Sequence, residues 1–220
     1  CVHDRIALSA QRLAELPDDY IGVYGTRLYH SIVSVADYNR MRTHVRPYAH
    51  EHPLTGDLSD RTIENNILNF PTLLVKRAAL LAAGPSDPLL RKNVDWDLSL
   101  RLTRQGKFDF LTEPLIVTPY PLDAATISKR VTGSKLHGAR SYARVTGKLR
   151  RRGLGGPAVA AHYLTTARYL LQLGRGGFAR KFLRASLALA PMQPKVWALM
   201  GLSYIPGAYS AVRRNKPGKR

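Results

Sequence analysis

Two aspartates placed two residues apart are the strongest candidates for chemistry in this sequence. Asp95 and Asp97 lie in residues 93–102, where apolar side chains recur every four positions and predict a helix. Residues two apart on a helix point about 200° away from each other, so the two carboxylates cannot share one site. We expect one to project into a cleft and the other to cap the helix or to pair with Arg101. The alternative is that both acids serve the helix N-terminus, where the macrodipole favours negative charge.

Charge divides the chain sharply. Of the 34 Lys and Arg residues, 14 lie in the first 123 residues together with all 15 Asp and Glu residues, so this part carries a net charge of −1. Residues 124–220 hold the other 20 cations and no acid. Such an asymmetry marks a change of composition and predicts a polyanionic partner for the basic part.

The remaining composition is that of an ordinary globular protein, with 45% apolar residues. One cysteine, Cys1, excludes an internal disulfide and favours a reducing compartment. The first residues already have a helical pattern, so we expect the chain to be a fragment of a longer protein. The longest candidate apolar run, residues 196–205, is shorter than the roughly 18 residues that a membrane span needs.

Helical and strand patterns alternate over the first 120 residues, which predicts an α/β fold. We expect strands over residues 20–25, 30–35, 70–75, 108–111 and 115–118, between helices over 4–16, 56–66, 77–83 and 93–102. Beyond residue 128 the pattern is helical and basic, with four helices. The sequence therefore predicts an α/β domain over 1–128, a basic helical region over 129–212 and a disordered tail over 213–220.

A basic loop is predicted over residues 39–53. It contains His44, His50 and His52 but no cysteine. Histidines in this setting are typical of a solvated basic loop, so no metal site is expected there.

Four stretches in order resemble the second half of the catalytic domain of the family-two inverting glycosyltransferases, which have the GT-A fold. They are residues 71–77 (PTLLVKR), 84–87 (GPSD), 94–102 (VDWDLSLRL) and 108–115 (FDFLTEPL). The resemblance covers roughly residues 1–128 and implies the C-terminal, acceptor-side half of a GT-A (Rossmann-like) glycosyltransferase domain. Residues 158–197 resemble, in addition, one tetratricopeptide-like helix pair.

The resemblance implies transfer of a sugar from a nucleotide-sugar donor to a glycan or lipid-linked acceptor, with inversion, in cell-surface polysaccharide biosynthesis. The family's Glu-Asp pair falls on Val94 and Asp95, so Asp95 is the expected general base. Asp87, Trp96 and Thr72 are the expected acceptor-binding residues. A divalent metal, Mg or Mn, is expected in the full-length enzyme through a DXD motif upstream of Cys1, and the fragment alone is expected to be inactive.

The basic half adds an expectation of its own. Anionic membrane is its expected partner, which implies a cytoplasmic protein peripheral on the inner face of the cell membrane. Nucleic acid is not expected, because the aromatic residues are not interleaved with the basic run 148–152 as a stacking platform requires. The alternative function is that of a non-enzymatic basic helical module that binds anionic membrane or nucleic acid.

Overall fold

The computed structural model describes residues 4–30, 46–47, 54–119 and 134–214. Contacts between Cα atoms divide the chain into two compact units, Cys1–Ser86 with Asp95–Ser128 and Asp87–Val94 with Lys129–Arg220. We call them the α/β unit and the helical unit. The mixed α/β class predicted from the alternating patterns is confirmed. The short segment Asp87–Val94 belongs to the helical unit, although it precedes the last helix of the α/β unit in the chain.

A mixed four-stranded sheet lies at the centre of the α/β unit. Strand β1 (Tyr20–His30) pairs with each of the other strands. It runs antiparallel to the two-residue strands β2 (Arg46–Pro47) and β3 (Leu74–Val75), and parallel to β4 (Lys107–Pro119) along its whole length. Close approach of the strands requires glycine in β1, because a Cβ on Gly22 would lie 2.7 Å from the Phe108 ring.

Four described helices accompany this sheet. They are α1 (Arg5–Glu15), α2 (Ser59–Glu64), α3 (Arg77–Ala83) and α4 (Val94–Leu102). Leu98 and Leu102 of α4 join Leu58, Leu68 and Phe108 in one buried cluster. Helix α4 is therefore fixed by its apolar face, and this fixes the direction of its first turn.

The strands differ from the sequence predictions in length and continuity. Strand β1 continues to His30 instead of ending at residue 25. The separate strand predicted over 30–35 is therefore wrong at its start. Residues 31–35 lie outside the described part of the chain. The two strands predicted on either side of residues 113–114 are one strand, β4. Consecutive residues of β1 face Leu111 and Pro114, and this bulge accommodates a proline that cannot donate to the ladder.

Two other predicted segments also need correction or fall outside the description. Residues 70–75, predicted as one strand, form the 3-10 turn Phe70–Thr72 followed by β3. The predicted loop over 39–53 contains strand β2. The three histidines of that loop lie outside the described residues, and so does residue 128, where the predicted domain boundary falls.

The helical unit contains five described helices. They are α5 (Lys135–Arg151), α6 (Gly156–Gln172), α7 (Gly176–Leu189), α8 (Pro194–Leu202) and α9 (Ala208–Arg214). A short turn joins α6 to α7, and its Gly174 has a φ of 71°, which favours glycine after a helix. The tail predicted from residue 213 is wrong at its start, because Arg213 and Arg214 end α9; residues 215–220 lie outside the description.

Buried small and aliphatic residues hold α6 against α7. Ala167 and Leu171 of α6 and Ala179 and Leu183 of α7 lie in one cluster, and the Ser186 hydroxyl donates to the Ala160 carbonyl across the pair at 2.8 Å. None of the helices within the described ranges is long and apolar enough to cross a bilayer.

Candidate functional site

Asp95 lies in the first turn of α4 with its carboxylate in solvent. Its Oδ2 accepts a hydrogen bond from Asn66 Nδ2 at 2.9 Å. Among the described residues, Asn66 is the only hydrogen-bond partner of this side chain. One carboxylate oxygen is thus oriented by an amide, and the other is accessible to a ligand.

Asp97 has the opposite environment. Its side chain is buried, and Arg101 Nη2 lies 3.3 Å from its Oδ2, one helical turn further along α4. Arg101 Nη1 also donates to the carbonyls of Ala83 and Gly84, at 2.8 Å for the second. This guanidinium therefore ties α4 to the C-terminal end of α3, where a positive charge is favourable. The expectation that one of the two aspartates pairs with Arg101 is confirmed for Asp97.

Trp96 and Thr72, expected to contact an acceptor, are both in the interior. Trp96 Nε1 donates to the Thr62 carbonyl at 2.7 Å and so packs α4 against α2. The Thr72 hydroxyl accepts from the Gly25 amide at 3.0 Å and donates to the Asn69 carbonyl at 2.7 Å. Both side chains are thus buried and hydrogen-bonded to the backbone, and their contact with an acceptor stays a prediction.

Asp87, the fourth expected site residue, is held in an ion-pair network of the helical unit. Its Oδ2 lies 2.5 Å from Arg144 Nε and 2.8 Å from Lys148 Nζ, and its Oδ1 accepts from the Leu89 amide at 3.0 Å. The hydrogen bonds from Arg144 and Lys148 hold the pKa of the Asp87 carboxyl well below its usual range. Because both oxygens are engaged, the network fastens Asp87–Val94 to α5 rather than presenting a free carboxylate to an acceptor.

We predict that Asp87→Asn lowers the thermal midpoint of the helical unit by a few degrees, because two cations lose their counter-charge. The folded-state pKa of Asp87 lies below its unfolded value near 4, so the stabilisation is present above about pH 4 and is lost as pH falls further. Thermal scans of both proteins between pH 7 and pH 3 measure this difference.

The matched control is Asp19→Asn, which breaks the 2.7 Å pair of Asp19 with Lys107. Both of those side chains are about half exposed, so its effect should be much smaller. An Asp87→Asn difference that stays constant down to pH 3 would show that the ion pairs are not its source.

Asn66 is the site residue that the sequence did not indicate. It lies just beyond the C-terminal end of α2, outside every motif, and is separated from Asp95 by 29 positions. No local periodicity marks such a residue, since only tertiary folding brings the amide to the carboxylate.

The described residues do not fit a resident metal ion, because no group of three or more His, Cys, Asp or Glu side chains is gathered within those ranges. The divalent metal that the resemblance implies stays a prediction. An accessible carboxylate oriented by an amide, as Asp95 is, can take a proton from a bound hydroxyl.

Comparisons of the chain with protein-family models, with curated proteins and with solved structures gave no match.

Proposed function

We propose that this chain is the acceptor-side half of an inverting glycosyltransferase of the GT-A type, with Asp95 as general base. The proposal is supported by the order of the four motifs along the chain and by the position of Asp95. Its substrates are a nucleotide-sugar donor and a glycan or lipid-linked acceptor.

The observation that carries the proposal is the contrast between the two aspartates of α4. Asp97 is buried and paired with Arg101, so it belongs to the scaffold. Asp95 is exposed on the same helix, with one oxygen oriented by Asn66. A helix fixed by a buried ion pair and a buried tryptophan holds an accessible carboxylate in one direction, as a general base requires.

In the proposed reaction Asp95 accepts the proton of an acceptor hydroxyl as that oxygen attacks the anomeric carbon. The new bond joins the acceptor oxygen to this carbon, and the bond from the carbon to the phosphate oxygen breaks. The nucleoside diphosphate leaves with the electron pair from the opposite face, which inverts the configuration. A positioned general base contributes about 10²- to 10⁴-fold to such a step.

The test uses the polypeptide that carries this chain together with the nucleotide-binding half that the resemblance implies. We expect sugar transfer from one member of a nucleotide-sugar panel, and proton NMR of the first product should show an anomeric configuration opposite to that of the donor. Residues 1–220 alone should transfer no sugar, because the base without a held donor has no leaving group to work against.

A product with retained configuration would contradict a mechanism that needs only a base. If the longer polypeptide transfers no sugar from any donor, the result favours the alternative function, a non-enzymatic basic helical module.

A further inference from the structure

The outer side of α8 and the segments that flank it form an exposed apolar surface. Residues of α8 that face solvent include Trp197, Ala198 and Gly201, which lie on one side of the helix at a spacing of 100° per residue. Met192 precedes the helix and Ile205 follows it, and their side chains are 93% and 61% exposed. We call these five residues the α8 surface.

Two hydrogen bonds tie the segments that flank α8 to the helix. Trp197 Nε1 donates to the Pro191 carbonyl at 3.0 Å, next to Met192 in the chain. The amide of Ile205 donates to the Leu202 carbonyl, so the turn after α8 stays against the end of the helix. Opposite this surface Val196 is fully buried, so one side of α8 packs and the other is left to solvent.

Neighbouring exposed apolar side chains of this size are typical of an interaction site. The charge of the surrounding helices indicates the kind of partner. The described residues 134–214 contain 15 Lys and Arg residues and no Asp or Glu. A partner that meets this unit must offer negative charge together with an apolar layer.

We infer that the α8 surface inserts into the interface of an anionic membrane. Trp197, Met192 and Ile205 would enter the boundary between headgroups and acyl chains, while the cations of the helical unit meet the anionic headgroups. A tryptophan with one bonded polar atom and a large apolar ring suits this depth.

Nucleic acid fits the same charge but not the same surface. Base stacking uses successive aromatic faces, whereas the α8 surface has one aromatic ring, Trp197, beside the non-aromatic Met192 and Ile205. The Arg180 guanidinium lies over the nearby Tyr204 ring, 4.3 Å from its centroid, and occupies one of its faces. Membrane insertion by this surface is independent of sugar transfer, and each can fail without the other.

The experiment uses the 220-residue chain and two kinds of vesicle, one of phosphatidylcholine alone and one with about 30 mol% phosphatidylserine. The protein should sediment with the anionic vesicles only and be released as salt rises past a few hundred millimolar. Trp197→Ala and Ile205→Ser should each weaken binding about tenfold, the effect of removing one inserted side chain.

The chain offers a matched control in Leu81→Ser. Leu81 of α3 is 62% exposed, like Ile205, but it lies in the α/β unit and should bind as the wild type does. All three positions are exposed, so none of these variants should prevent folding, and circular dichroism checks this.

Tryptophan emission locates the insertion. The chain has two tryptophans, and Trp96 is only 4% exposed, so a blue shift and quenching by brominated lipid must come from Trp197. Both signals should vanish in Trp197→Phe. The inference is overturned if the vesicles bind without any change in Trp197 emission, if Leu81→Ser and Ile205→Ser weaken binding equally, or if the chain ignores both vesicles and binds RNA instead.

Discussion

Asp95→Asn should lower kcat by about 10²-fold or more in the longer enzyme, while donor binding changes little. The asparagine keeps the size of the side chain and can still meet the Asn66 amide through its oxygen, but it cannot take a proton. Because Asp95 is exposed and outside the buried cluster, the substitution should leave folding unchanged. Initial rates at saturating donor and acceptor measure the effect.

The matched control is Asp60→Asn. Asp60 is another exposed carboxylate in the first turn of a helix, α2, so it shares the chemistry and the local setting of Asp95. Its substitution should leave kcat unchanged. Equal turnover by Asp95→Asn and the wild type would end the assignment of the base.

Trp96→Ala should lower the free energy of unfolding by about 3–5 kcal/mol, as truncation of a large buried aromatic does. The indole is buried between α4 and α2, and its Nε1 donates to the Thr62 carbonyl. Removing it leaves a cavity and an unpaired carbonyl beneath the helix that carries Asp95. Urea unfolding followed by circular dichroism measures this without relying on the missing fluorophore.

The second tryptophan of the chain supplies the control. Trp197 is 58% exposed, and Trp197→Ala should cost less than about 1 kcal/mol. A small effect of Trp96→Ala on stability with a large rise in the acceptor KM would contradict this structural role and support Trp96 as an acceptor contact.

Local patterns in the sequence were sufficient to predict much of the fold. Helix α3 begins and ends at the predicted residues. The four-residue spacing of Asp97 and Arg101 predicted the ion pair that the structure shows. Apolar periodicity and the terminating Gly84 depend on neighbours within a few positions, and such features are contained in the sequence itself.

The features that the sequence did not indicate are contacts between distant segments. The length of β1 depends on its pairing with β4, which is more than 80 positions further along the chain. No residue near Asp87 in the sequence indicates its ion pairs, because only the fold brings Arg144 and Lys148 to it. Burial of Trp96 follows from the packing of α4 on α2, and an aromatic residue beside an acid has no local feature that reveals this.

The most direct test of Asp95 as general base compares two acceptors of the same shape in the longer enzyme. One carries the natural hydroxyl, and the other carries a thiol in its place, whose pKa near 8.5 lets it react as a thiolate without help. The wild type should exceed Asp95→Asn by about 10²-fold or more with the hydroxyl, but by less than about tenfold with the thiol. Equal ratios for the two acceptors would show that Asp95 does not take the proton.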